Sequence, residues 1–238
     1  MSTVEKLNNV DHANVRILTD YSADLGDDVM FVPVYPNELR RLQGTYPLLF
    51  YKDADQGGLH PVALLGFEAR ENLFLSPQGW DATQIPMMSQ RGPLLIGFEE
   101  DRTRGRQPVA AIDMSHPKVS HEQGEPLFLE EGGQSDYLDF MAGLLDAIQI
   151  GHAAREQFVH TLETHDLITP CEMAITLANS AQHTLSGYYM IDDEKLQALS
   201  GEALTDLQDN GFLTPAFMML SSLSQLAHLI ARKNASLG

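Results

Sequence analysis

The sequence has one cysteine, Cys171, and one tryptophan, Trp80, in 238 residues. A lone thiol excludes an internal disulfide and a CxxC zinc pair. Cationic residues are scarce too: 15 Lys and Arg stand against 33 Asp and Glu, a formal net charge of −18. So negative a chain disfavours nucleic acid and anionic membrane surfaces, which are bound through clustered cations that displace counterions. No uninterrupted apolar run reaches the ~18 residues of a membrane span. The nearest stretch, residues 212–230, is broken by Thr214, Pro215, Ser221, Ser222, Ser224, Gln225 and His228. The N-terminus joins no basic segment to an apolar one, so no signal peptide is expected and the protein is read as soluble and cytoplasmic. Walker, GxGxxG, GxSxG and HExxH patterns are missing, which removes the usual flags of phosphate cradling, dinucleotide binding, serine hydrolysis and zincin chemistry.

What is present reads as globular, since 43% of the residues are hydrophobic and a core of ordinary size can form. Residues 1–28 are polar and rich in Asp and Asn, and are expected to be a flexible N-terminal arm. From residue 29 to 129 the chain consists of short apolar runs between Pro and Gly, which predicts strands at 29–34, 46–51, 62–67, 73–75, 94–98 and 109–112. Ser135 or Asp136 can cap a long helix on which Leu138, Met141, Leu145, Ile148, Val159 and Leu162 recur at helical spacing. Gly151 is expected to kink that helix, and Asp166 or Thr169-Pro170 to end it. Cys171, Met173, Ile175 and Leu177 then alternate with polar residues, which predicts a hairpin with residues 183–190. Asp192 is a natural N-cap with Ile191 and Leu196 as a hydrophobic staple, and Gly211 an αL terminator. A last helix over 214–232 places Phe217, Leu220, Leu223, Leu226 and Ile230 on one stripe. The expected architecture is α+β: a mixed or antiparallel sheet from the N-terminal half, packed by the long helix and the C-terminal helices, in a single domain over 29–238.

Few residues suggest chemistry. Trp80 precedes an Ile-Pro-Met-Met segment and Arg91, and an aromatic beside an arginine is a common recognition pair. Trp80 and Arg91 are therefore candidate ligand-binding residues; the alternative is a tryptophan that plugs the sheet and an arginine paired with a surface acid. Asp113, His116 and His121 supply one carboxylate and two imidazoles, the ligand types of a facial-triad Fe(II) site. Pro117 and the unusual spacing oppose that metal site, so a solvated loop is the alternative and no cofactor is favoured. His152, in a row with Glu156 and His160, is expected to be a buried, hydrogen-bonded histidine, and Cys171 a buried structural thiol. Arg102, Arg104 and Arg106 form a basic loop that is either solvated or a dock for an anion. Met87-Met88 and Met218-Met219 would suit an adaptable apolar surface.

Several segments recur in a familiar order. They are Tyr46-Pro47, Leu65-Gly66-Phe67 with Glu71-Asn72-Leu73-Phe74-Leu75, Gly79-Trp80-Asp81 with Ile85-Pro86, and Arg91 with Pro93. Asp113, Glu125-Pro126-Leu127-Phe128, Gly187-Tyr188-Tyr189 with Ile191-Asp192, Lys195-Leu196 and Leu199 follow. In this order, over residues 46–229, the chain resembles the SapC-like family of Gram-negative bacteria. It departs from the family at residues 89–94, where relatives are more basic and aromatic. The family name comes from surface-layer or serum-resistance loci, and a surface-layer role fits poorly with the expected lack of a signal peptide. Relatives often stand beside TonB-dependent receptors, flavin-dependent tryptophan-halogenase-like proteins and cupin-like or 2-oxoglutarate-oxygenase-like proteins. The resemblance thus implies a non-catalytic accessory or binding protein of a nutrient-uptake or modification cassette. Its partner would be a protein or peptide, such as a flavin- or 2-oxoglutarate-dependent oxidoreductase. The alternative is a metal- or oxygen-dependent oxidoreductase of the same cassette, with Fe(II) on Asp113, His116 and His121. Homo-oligomerisation fits either reading, and neither calls for nucleic acid or membrane insertion.

Overall fold

The computed structural model describes residues 3–52, 58–101, 103 and 105–237, so Arg102 and Arg104 of the basic loop lie outside the described residues. Contacts divide the chain into two units, one of Met1–Asp27 with Met87–Ile150 and one of Asp28–Pro86 with Gly151–Gly238. The chain enters each unit twice, whereas the sequence reading has one domain after an arm.

In the first unit, Leu94–Asp101 and Gly105–Asp113 pair antiparallel, and Val4–Lys6 adds to the free side of Gly105–Asp113 with Val4 opposite Asp113. A second, three-stranded sheet places Arg16–Ile17 between Val119–Ser120 and Glu125–Pro126. The segment expected as an arm is therefore built into strands, and Val15 and Ile17 are each 1% exposed. Its apolar residues are too sparse to show a period; their burial comes from partners about a hundred residues away in sequence. The long helix, Asp136–Thr164, starts as expected: Ser135 Oγ accepts from Leu138 N at 3.1 Å. The same hydroxyl donates to Pro126 O at 2.6 Å, which ties the helix start to its neighbouring strand. Leu138, Met141, Leu145 and Ile148 are buried in this unit.

The second unit holds a five-stranded sheet in the order Ile168–Thr176, Gln182–Ile191, Leu48–Lys52, Leu59–Leu64, Phe31–Pro33. Every pairing is antiparallel, and strands from both halves of the chain contribute. The fold class is α+β. The hairpin read from the alternation of Cys171 to Leu177 is present, with a bulge between Cys171 and Met173. Pro170 does not end the helix; it sits in the edge strand, where a missing N–H is tolerated. The helix stops at Thr164, and Asp166 takes a φ of 54°. Tyr46, Phe50, Leu64, Phe158 and Leu162 are fully enclosed in the core.

Two local expectations are corrected here, at His152 and in the last helix. Gly151 serves close packing: a Cβ there would lie 2.6 Å from Tyr35 Cβ and from Asn37 Oδ1. His152, the next residue, is consequently exposed, its ring centroid 6.3 Å from that of Tyr35. The last helix is two helices, Leu213–Ser222 and Gln225–Ser236. Their buried side runs through Ala216, Met219, Ser222, Leu229 and Lys233, while Phe217 is 43% exposed. Ser222 belongs inside because its hydroxyl accepts from Leu48 N at 2.9 Å and donates to Met219 O, satisfying a buried strand donor. Leu213–Ser236 is, among the described residues, the one helical stretch with the length and apolar content of a membrane span. The Asp192 cap forms as read, with Oδ1 accepting from Lys195 N at 3.1 Å over a buried Ile191 and Leu196.

Candidate functional site

Two turns in the first unit bring a lysine and an aspartate together inside it. The first begins at Asp113, whose Oδ1 accepts from Ser115 N at 3.0 Å and Ser115 Oγ at 2.6 Å. These bonds hold the Asp113 carboxyl below its usual range. His116 N then donates to Asp113 O, Lys118 N donates to His116 Nδ1 at 3.1 Å, and Val119 N donates to His116 O. The chain leaves this turn as the strand Val119–Ser120 with the Lys118 side chain directed inward and 4% exposed. In the second turn, Ser22 N donates to Asp27 Oδ2 at 3.0 Å and Asp27 N returns a bond to Ser22 O. Gly26, at φ 84°, reverses the chain just before Asp27.

Lys118 Nζ lies 3.0 Å from Asp27 Oδ1, and both side chains are under a tenth exposed. The ammonium also stands 4.0 Å over the Tyr21 ring, a cation–π contact strengthened by burial. Beside it is a cavity of about 150 Å³ lined by Lys118, Tyr21, Gln90, Tyr137, Phe140 and Met141, among others. Tyr137, Phe140 and Met141 stand at i, i+3 and i+4 of the long helix and so share one face. Gly124 lets the 121–124 loop close beneath this sheet: at its φ of 100°, a Cβ would meet Ile17 O at 2.3 Å.

Burial shapes the electrostatics. It pushes the Lys118 ammonium below its ordinary value, against the opposing pull of Asp27 and Asp20. Tyr21 is pushed up to about 12 by burial and by the Asp27 charge. Tyr137 is raised further by burial, Tyr21 and Glu125. The His116 imidazole is lowered by burial and by the positive charges of Lys118 and Arg91. Displaced titrations around a cavity are a physical mark of a functional site. In the second unit Tyr188 is also raised to about 12, by burial and then Tyr51.

These shifts have a measurable consequence. Unfolded phenols ionise near pH ~10, before Tyr21, Tyr137 and Tyr188 do in the fold, so the unfolded state loses protons first and stability falls as pH rises above that point. In a tyrosinate absorbance titration at about pH 11, the native signal should fall short of that of the unfolded chain, with Tyr21, Tyr137 and Tyr188 among the phenols still protonated. The missing signal should appear on unfolding. A native protein in which all seven tyrosines ionise together would contradict the burial of these phenols.

The residues singled out from sequence fall elsewhere. Trp80 is in the second unit and Arg91 in the first. Trp80 Nε1 donates to Tyr46 OH at 2.8 Å, and that hydroxyl donates to Gln84 O, so the indole is tied into the core wall. Arg91 Nη1 donates to Leu94 O at 3.0 Å. Asp113 and His116 build the turn described above, and His121 is exposed. Among the described residues, no three His, Cys, Asp or Glu side chains are grouped to hold a metal ion. Cys171 is buried, and burial pushes its thiol up. Sequence reasoning missed Lys118, Asp27, Tyr21 and Tyr137, because a lysine after a proline and an aspartate after a glycine both read as solvated. A larger cavity of about 430 Å³ also lies in the first unit, but apolar side chains with Asn and Gln amides line it and no titratable group does.

No curated protein matches the chain, and no solved structure does. The SapC family model matches residues 7–229, nearly the whole length, and the chain belongs to the SapC family.

Proposed function

We propose that this chain is a non-catalytic binding protein, an accessory of a bacterial nutrient-uptake or modification cassette, whose ligand site is the cavity beside Lys118. One observation carries the reading: a charged pair held out of water next to an open cavity of about 150 Å³. Burying two charges costs several kcal/mol per ion before their attraction repays it, and an apolar pair of the same volume is often at least as stable. A buried pair beside a cavity therefore favours recognition over stability as its purpose. Binding is also favoured over base catalysis by His116, because His116 Nδ1 is occupied by Lys118 N. The setting in a cassette, and a protein partner such as a flavin- or 2-oxoglutarate-dependent oxidoreductase, rest on the resemblance to SapC-like relatives.

The test is ligand-observed NMR with single-ring aromatic compounds that are neutral, anionic or cationic. Thr19 is exposed on the cavity rim, so Thr19→Trp should obstruct the mouth without disturbing the core. At least one compound should bind the native protein and lose about 10-fold or more in affinity to Thr19→Trp. Binding by none, or equal binding to both proteins, would overturn the proposal.

A further inference from the structure

We infer that the cavity beside Lys118 takes a neutral, single-ring molecule with a carbonyl oxygen, held by the Lys118 ammonium and by contact with Phe140 and Met141. This inference rests on the binding reading above and adds the class of ligand.

Size comes first. A dry cavity of ~150 Å³ accommodates a benzene-sized ring, and the space here is of that volume. The polar requirement follows from counting donors. An ammonium has three N–H groups; Asp27 takes one and the Tyr21 ring faces a second. Lys118 is among the residues that line the cavity, so the third N–H is the donor assigned to an entering oxygen. A donor this deeply buried gains from an acceptor because an unsatisfied one is costly. Among the other lining groups, Phe140 and Met141 offer aromatic and thioether contact to a ring.

Charge excludes the obvious alternative, a carboxylate. Asp27 already neutralises Lys118 at 3.0 Å. A second carboxylate would leave a net buried negative charge, the costly state for a desolvated ion pair. The phenols report the same field: Tyr21 resists ionisation because of burial and Asp27, and Tyr137 because of burial, Tyr21 and Glu125. A wall that resists a phenolate resists a carboxylate for the same reasons. A cation would need to displace Lys118 from Asp27 or stand beside it, like charge against like.

Benzamide, benzoate and benzylamine share a ring and differ in charge, so they separate the cases in the native protein at neutral pH. Benzamide should bind at least about 10-fold more tightly than either charged compound and should not be displaced by moderate salt. Lys118→Met, with fold checked by circular dichroism, should lose benzamide binding by a similar factor; if that variant fails to fold, the comparison of the three compounds on native protein decides the matter alone. Benzoate or benzylamine binding as tightly as benzamide, with sensitivity to Thr19→Trp, would overturn this inference and leave the site standing. Binding of none of the three would overturn this inference, and with a silent wider panel the binding reading falls too.

Discussion

Lys118→Met is expected to destabilise the fold by about 3–5 kcal/mol, the range for removing one partner of a buried ion pair. The methionine replaces most of the aliphatic volume, so little of the loss comes from packing. It comes from Asp27, a carboxylate 8% exposed that loses its ammonium partner while keeping the bond from Ser22 N. In a chain of this length the change corresponds to a drop in Tm of roughly 10 °C. Adding Asp27→Asn should recover more than half of the loss, because the amide oxygen can still accept from Ser22 N and no charge is left behind. Urea denaturation of the native protein, both single variants and the double variant closes the cycle. A loss below about 1 kcal/mol, the level of an exposed pair, would contradict a buried and mutually dependent pair.

Lys233→Met should produce the second large effect, in the other unit. Lys233 is 6% exposed on the helix Gln225–Ser236. Its Nζ donates to Glu71 Oε1 at 2.5 Å and Glu68 Oε1 at 3.2 Å. Glu71 is itself largely enclosed and accepts from Phe67 N at 2.8 Å through its second oxygen. Next along the helix, Arg232 donates to the Asp81 carboxylate and carbonyl and stacks 4.5 Å over Phe74. The two cations clasp the segment that carries Trp80. Without Lys233, Glu71 is left as an uncompensated buried charge, at a cost of about 3 kcal/mol. The exposed pair of Lys195 with Asp166 is the control, since Lys195→Met there should cost less than about 1 kcal/mol. Equal effects at the two sites would contradict the clasp.

The two buried lysines should also respond to alkali in opposite directions. Burial pulls the Lys233 ammonium down, but the bonds to Glu71 and Glu68 more than offset it and leave the folded value raised. Its contribution is therefore complete below the unfolded lysine value and is lost as pH rises through the folded one. Lys118, lowered by burial despite Asp27, gives stability that grows between its folded value and the unfolded one. This contrast reflects two jobs: Lys233 closes a structural contact fully, whereas Lys118 is held beside a space.

Local signals in the sequence were legible and long-range ones were not. The alternation from Cys171 onward, the Ser135 and Asp192 caps and the Leu138 to Ile148 stripe all depend on neighbours within a few residues, and each forms as read. The strand Val4–Lys6 depends on Gly105–Asp113, and Ser222 depends on Leu48; no periodicity within either segment reports such partners. The break at Leu223 and Ser224 divides the last helix in two, yet Leu220, Leu223, Leu226 and Ile230 of the stripe pack partly buried against the core and only Phe217 is exposed. The candidate site was hidden for a related reason. Asp27 and Lys118 are separated by more than ninety positions, and each has polar or turn-forming neighbours. Only the pairing of Arg16–Ile17 with Val119–Ser120 brings the two together. Trp80 and Arg91, close in sequence, belong to different units.

The most direct test uses NMR of protein labelled at its methionine methyl groups, titrated with benzamide. Met141 lines the cavity beside Lys118, while Met173, Met190 and Met219 belong to the other unit. The Met141 methyl should move saturably, those three should stay in place, and the movement should vanish in Thr19→Trp. A stationary Met141, or shifts confined to the other unit, would contradict benzamide binding beside Lys118, and the same result across the wider panel of compounds would contradict a ligand site there.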